Sequence, residues 1–102
     1  MNQAQLMAQV KKMQAEMTKA QEELANTIVS GSAAGGAVTV DVSCDQRVKR
    51  VRIAKEAADP EDLETLEDLV MVAVNDALAN AAQTSAKRMA SVTGGMRVPG
   101  LM

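Results

Sequence analysis

Residues 37–54 read AVTVDVSCDQRVKRVRIA, and their patterning decides the fold. Val38, Val40 and Val42 alternate with Thr39, Asp41 and Ser43. A period of two marks a half-buried strand, because successive side chains point to opposite faces. Asp45-Gln46 supplies a turn, and the second arm returns through Arg47 to Ala54. The expectation is a β-hairpin. Its second arm is irregular. Val51 and Ile53 share one face, but strict alternation puts Val48 on the other, with Arg50 and Arg52. Either Val48 belongs to the turn or a bulge lies near Lys49. With Val51 and Ile53 toward the core, Arg50 and Arg52 face outward.

Working outward, Thr27-Ile28-Val29 favours a further strand, and Gly35-Gly36 a tight connection into the hairpin. Three antiparallel strands are expected, at about 28–33, 37–44 and 47–54. Gly31 inside the first suggests a bulge or a sheet edge. Before the sheet, residues 3–26 hold neither Gly nor Pro. Leu6, Val10, Met13, Met17, Ala20 and Leu24 recur at heptad-like spacing, which predicts a helix of ~36 Å. That seam packs either on its own sheet or partly against a partner helix.

After the sheet, Asp59-Pro60-Glu61-Asp62 reads as a helix start: Asp59 caps, Pro60 takes the first position, and acids suit the positive end of the dipole. The helix is expected to reach about Ala90, ~45 Å if unbroken, with a kink near Asn80 as the alternative. Leu63, Leu66, Val70, Ala73, Val74, Ala77, Leu78 and Ala81 form its apolar face. Residues 69–74, LVMVAV, are apolar on nearly every side. Such a band is buried on more than one face, either within one subunit or at a subunit interface. Both helices overhang strands of about 27 Å. A dimer with projecting helical ends is therefore expected. Residues 1–93 are expected to form a single α+β domain, and 94–102, rich in Gly, a flexible tail.

The totals narrow the function. The chain has 102 residues and no Phe, Trp or Tyr, so its core is aliphatic and small, and oligomerisation is a common remedy. Base stacking on aromatic platforms is excluded. With no His and one Cys, a transition-metal site is not expected, nor is any cofactor. General-base catalysis lacks its usual residue, and Cys44 lacks an activating partner. No catalytic residue is assigned, and an enzyme is not expected. The acids Asp59, Glu61, Asp62, Glu64, Glu67 and Asp68 read as a solvated helix start rather than a cation loop. The polar N-terminus and the lack of a long apolar run predict a cytoplasmic protein without a membrane span.

Net charge is −2, so any affinity for nucleic acid must come from local clusters. There are three. Lys11, Lys12 and Lys19 lie on the first helix. Arg47, Lys49, Arg50, Arg52 and Lys55 lie on and just after the third strand, five of the 11 basic residues with no acid among them. Lys87, Arg88 and Arg97 lie toward the C-terminus. Each suits phosphate contacts, or else ion pairs such as Lys19 with Glu22 or Glu23.

In order along the chain, LMAQVKKMQAEMTKAQEEL, TIVSGSAAGGAVTVDV, RVKRVRI, DPEDLETLEDLVMVAVNDAL and KRMASVTGGM resemble the YbaB/EbfC family of bacterial nucleoid-associated proteins. That resemblance implies a small cytoplasmic homodimer on the nucleoid. It also implies a central antiparallel sheet, helices projecting like tweezers, and binding of double-stranded DNA by those helices. By charge and position it points first to Lys11, Lys12, Lys19, Lys87 and Arg88. Arg47, Lys49, Arg50, Arg52 and Lys55 are the alternative surface. Sequence preference is expected to be weak, because no helix clusters the Arg, Asn and Gln that read base edges. The rival expectation is an interaction module docking on replication or recombination proteins, through Met7, Met13 and Met17 or the acidic second helix.

Overall fold

A computed structural model of the chain describes residues 2–93. The expected tail at 94–102 and Arg97 lie outside the described residues. Helix α1 spans Gln3–Ala25, strands β1, β2 and β3 span Ile28–Ala33, Val38–Ser43 and Arg47–Ile53, and helix α2 spans Leu63–Thr93. The architecture is the expected α+β arrangement of a three-stranded antiparallel sheet between two long helices. Strand order is β1-β2-β3.

Local chemistry sets each boundary. Asn2 starts α1 with a reciprocal cap: its side chain accepts from the Gln5 N–H at 2.8 Å, and Gln5 accepts from the Asn2 N–H at 3.2 Å. At the far end Asn26 and Thr27 donate to the carbonyls of Glu22 and Glu23. Ala34, Gly35 and Gly36 all take positive φ in the tight β1–β2 connection. In the hairpin loop, Gln46 also has φ 69° and donates its N–H to the Ser43 carbonyl. A residue in the left-handed region closing a three-residue loop is a common hairpin solution.

The start of α2 corrects the expectation at Asp59-Pro60. Asp59 instead accepts from the Glu61 N–H within a turn that precedes the helix. Asp62 stands immediately before Leu63 and accepts from both the N–H and the hydroxyl of Thr65. Both Asp residues are cap-forming types, and the later one holds the position from which a side chain reaches the third helical N–H. From Leu63 the helix runs continuously for 31 residues, without a break at Asn80.

Val38, Val40 and Val42 are completely buried beneath α2, with Ala73, Ala77 and Ala81 completely buried above them. The helix lies across β1 and β2. Gly31 lets it come close. A Cβ built there would sit 2.1 Å from the Ala77 nitrogen and 2.7 Å from the Ala73 carbonyl oxygen. Gly31 does lie on an edge strand, but helix approach is what requires it. The nearness lets two α2 side chains reach over that edge: the Ser32 N–H donates to Asp76 at 3.0 Å, and Asn80 donates to the Ser30 carbonyl at 2.8 Å.

The irregularity of the third strand is a bulge at Lys49. Val40 faces Val51 and Asp41 faces Arg50, but Val42 faces Val48, so Lys49 has no opposite number. The extra residue restores the pattern. Val48, Val51 and Ile53 fall on the helix-facing side of the sheet, and Arg47, Arg50 and Arg52 on the outer side. Yet every β3 residue is exposed, and the apolar three are 43 to 50% exposed. The 69–74 band is likewise covered on one side only: Ala73 is buried and Leu69, Val70 and Val74 half-buried, whereas Met71 and Val72 are exposed.

Gly31→Ala should destabilise the fold by at least about 3 kcal/mol, since the obstructing atoms are helix backbone rather than a movable side chain. A urea midpoint unchanged from wild type would show that α2 can lift off β1 without loss.

Candidate nucleic-acid interface

Cys44 joins the two helices to the hairpin. Its N–H bonds to the carbonyls of Leu24 and Thr27, and its own carbonyl accepts from the Ser85 hydroxyl. Burial, reinforced by the neighbouring Asp45 charge, pushes its thiol above the usual range, as befits a structural residue. Beyond this joint both helices leave the sheet. The C-terminal end of α2 runs back along α1, and Glu16 and Lys19 share a groove with Arg88, Ser91 and Val92. In α1, Ala20 and Leu24 are buried and Met13 and Met17 half-buried, whereas every residue from Gln3 to Lys12 is exposed. So the second half of the seam packs within the chain, and the first half is a bare helical arm. The radius of gyration is 19.5 Å, against about 13 Å for a compact chain of this length.

The basic groups take three distinct settings. Lys11 and Lys12 are exposed on the bare arm. Lys19 lies one heptad beyond Lys12, on the same helix face, with Glu16 between them. Lys87 is exposed on α2. Arg88 is half-buried and engaged: its Nε donates to Glu23 at 2.8 Å and its Nη1 to the Ser91 hydroxyl at 2.9 Å. Glu23 therefore pairs with Arg88, sixty-five positions away, and not with Lys19. That hydrogen bond, with the attached charge, holds the Glu23 carboxyl below the ordinary carboxylate range and raises Arg88 further. Arg88 staples α1 to α2, a role with no local signal in the sequence.

On the sheet, Arg52 donates to Asp41 at 3.0 Å, and Asp41 also accepts from the Ser30 hydroxyl at 2.6 Å. Arg47 stands 3.9 Å from Asp45, whose carboxylate is also bonded by the Ser43 hydroxyl. Arg50 has no ion-pair partner among the described residues. The strand row thus has Asp41 and Asp45 beside it, whereas the chain holds no acid before Glu16 and none between Asp76 and Thr93, so Lys11 and Lys12 have no acid on their N-terminal side and Lys87 none close by in sequence on α2. Asp76 and Asn80, the side chains that close the β1 edge, were not legible as functional. Their only signal is a position beside the buried Ala77 and Ala81.

Among the described residues, no group of three or more His, Cys, Asp or Glu side chains gathers as a metal ion would require, and no helix is long and apolar enough to cross a membrane. The fold and its exposed basic groups define a small α+β protein that presents charge on a projecting helix and a sheet face. Residues 1–96 match the YbaB/EbfC DNA-binding family, and the chain belongs to that family. A nucleoid-associated protein of Chloroflexus aurantiacus is 48% identical over 95% of this chain and 97% of its own length. One of Alkaliphilus metalliredigens is 48% identical over 98% of this chain and 88% of its own. In fold, the chain is similar to the uncharacterized protein HP0035 from Helicobacter pylori, with TM-score 0.74 and 23% identity over 85% of this chain and 91% of that one.

The Glu23–Arg88 staple carries a pH dependence of definite sign. A carboxylate with a lowered native pKa stabilises fully above its ordinary range and loses that contribution as pH falls through the lowered value. Amide protection factors in the last two turns of α1, taken relative to intrinsic exchange at each pH, should therefore fall on acidification. Arg88→Gln should lower them already at neutral pH and remove the acid dependence attributable to this pair.

Proposed function

We propose that this chain is a nucleoid-associated protein that binds double-stranded DNA as a homodimer, largely through phosphates and with weak sequence preference, within the cytoplasm. The observation that carries the DNA reading is the family match across residues 1–96. The arm geometry supports it. Lys11 and Lys12 ride on a stretch of helix exposed at every residue, and long flexible ammonium side chains there suit sequence-independent phosphate contact. Lys19 and Lys87 extend the same arm toward the body. Arg88 contributes mainly by holding the arm in place.

The dimer reading rests on an asymmetry between the sheet edges. Asp76 and Asn80 occupy outward-facing backbone groups of β1. The other edge strand, β3, is exposed at every residue and carries an uncovered apolar row, Val48, Val51 and Ile53. Edge strands left open are templates for pairing. A second copy joining along β3 would place its own α2 over that row and cover the Leu69–Val74 band. One open edge per chain gives a closed pair rather than a fibre.

Binding of a labelled duplex should weaken steeply between low and physiological salt, and Lys11→Glu with Lys12→Glu should weaken it at least tenfold while leaving the dimer intact. No duplex binding even at ~20 mM salt would overturn the reading. Separately, Val51→Asp should convert the dimer to monomer in sedimentation equilibrium at micromolar concentration. A wild-type monomer would remove the homodimer. The rival, an accessory factor for replication or recombination proteins, is favoured by the exposed Leu6, Met7 and Val10 on the arm. It would be preferred if Leu6→Lys with Val10→Lys abolished nucleoid recruitment without altering duplex affinity.

A further inference from the structure

The outer face of the sheet carries a feature that the arm does not explain. The bulge at Lys49 brings Arg47 onto the same face as Arg50 and Arg52, opposite Ser43, Asp41 and Thr39 respectively. Without that extra residue Arg47 would point to the helix side and Val48 to the outer side. One inserted position thus sorts three arginines to one face and three apolar residues to the other. All three arginines are exposed.

Their charge is only partly cancelled locally, by Asp41 and Asp45. Asp41 engages one Arg52 nitrogen, and a guanidinium has five N–H donors. Asp41 is itself fixed by Ser30, so it orients Arg52 rather than consuming it. Arg50 has no ion-pair partner among the described residues, and the Arg47 contact is long, at 3.9 Å. Arg50 and Arg52 are two strand residues apart, or about 6.6 Å, so their long guanidinium-bearing side chains can engage one phosphate or neighbouring phosphates of one strand. Asp41, opposite Arg50 and bonded to Arg52, sets one negative charge beside two guanidiniums, so the pair keeps a net positive charge toward solvent.

We propose that this arginine row is a second duplex-DNA contact surface, separate from the helical arm, reading phosphates along the outer face of the sheet. The proposal rests on the DNA reading above. In a dimer joined along β3, the two rows become neighbours at the centre of one sheet. Each copy then supplies half of a strip built from Arg47, Arg50 and Arg52 of both. The bulge residue Lys49 sits beside it. Each chain extends 70 Å along its long axis, so arm and strip give the dimer contacts at separate places along it.

The test compares Arg47→Gln with Arg50→Gln, in one double variant, against Lys11→Gln with Lys12→Gln. Arg52 is left in place so that its bond to Asp41 persists. Affinity for a labelled duplex is measured by fluorescence anisotropy across a salt series, and the dimer is checked by sedimentation. The arginine variant should bind at least tenfold more weakly at ~50 mM salt, with the slope of log affinity against log salt reduced by about 3.6, for four side chains lost per dimer. Combining the two pairs should weaken binding further than either alone. If the arginine variant keeps wild-type affinity and slope while the lysine variant loses both, the sheet proposal is overturned and the DNA reading stands. If the wild-type protein binds no duplex, both fall.

Discussion

The close seating of α2 on β1 is the constraint on which the rest of the structure depends. Without aromatic side chains, the chain has few large groups with which to fill a gap between helix and sheet. It closes the gap instead. Gly31 removes the Cβ from one side, and Ala73, Ala77 and Ala81 present a low ridge from the other. Small facing residues let backbones approach, and the valines of β2 then reach full burial with only branched aliphatic bulk. The same nearness places Asp76 and Asn80 within hydrogen-bonding reach of the β1 edge. Packing and edge protection thus follow from one choice of residue size.

That seating also dictates what stays uncovered. A single helix centred on β1 and β2 does not extend over β3, so the apolar row Val48, Val51 and Ile53 is left bare. Exposed apolar area of this kind is costly for a lone chain. It lies beside the half-buried flank of α2 and at the sheet edge that, among the described residues, no α2 side chain crosses. The unfinished half of the core and the open edge coincide, so the proposed second copy would complete both.

Much of this was legible in residues 37–54. The alternation gave the hairpin, and the misplacement of Val48 left two alternatives, a place in the turn or a bulge near Lys49, of which the register shows the bulge. Short-range signals were sufficient there because pleat and burial repeat every two residues. The first-helix seam was also legible, but its outcome was not. Periodicity marks which face is apolar, not which turns of that face are covered, so Leu6 and Val10 read the same as Ala20 and Leu24. The α2 start was displaced because two Asp residues compete to cap it. Glu23 with Arg88, and Asp76 and Asn80 with the β1 backbone, join residues far apart in sequence. No spacing rule links them, and only the docked helices bring them together.

The acidic total is no obstacle to a polyanion partner, because the charge is segregated. Glu61, Asp62, Glu64, Glu67 and Asp68 crowd the turn before α2 and its first turns, where they face the positive end of a helix dipole. The arm lysines and the strand arginines lie on other elements. At physiological salt, charges more than about 8 Å apart are largely screened. What a bound duplex would feel is therefore the nearest cluster and not the sum. This also explains why net charge is a poor guide for such a chain. Moving acids to a helix start satisfies orphan backbone donors, lowers the total charge and leaves the cationic faces nearly as strong as before.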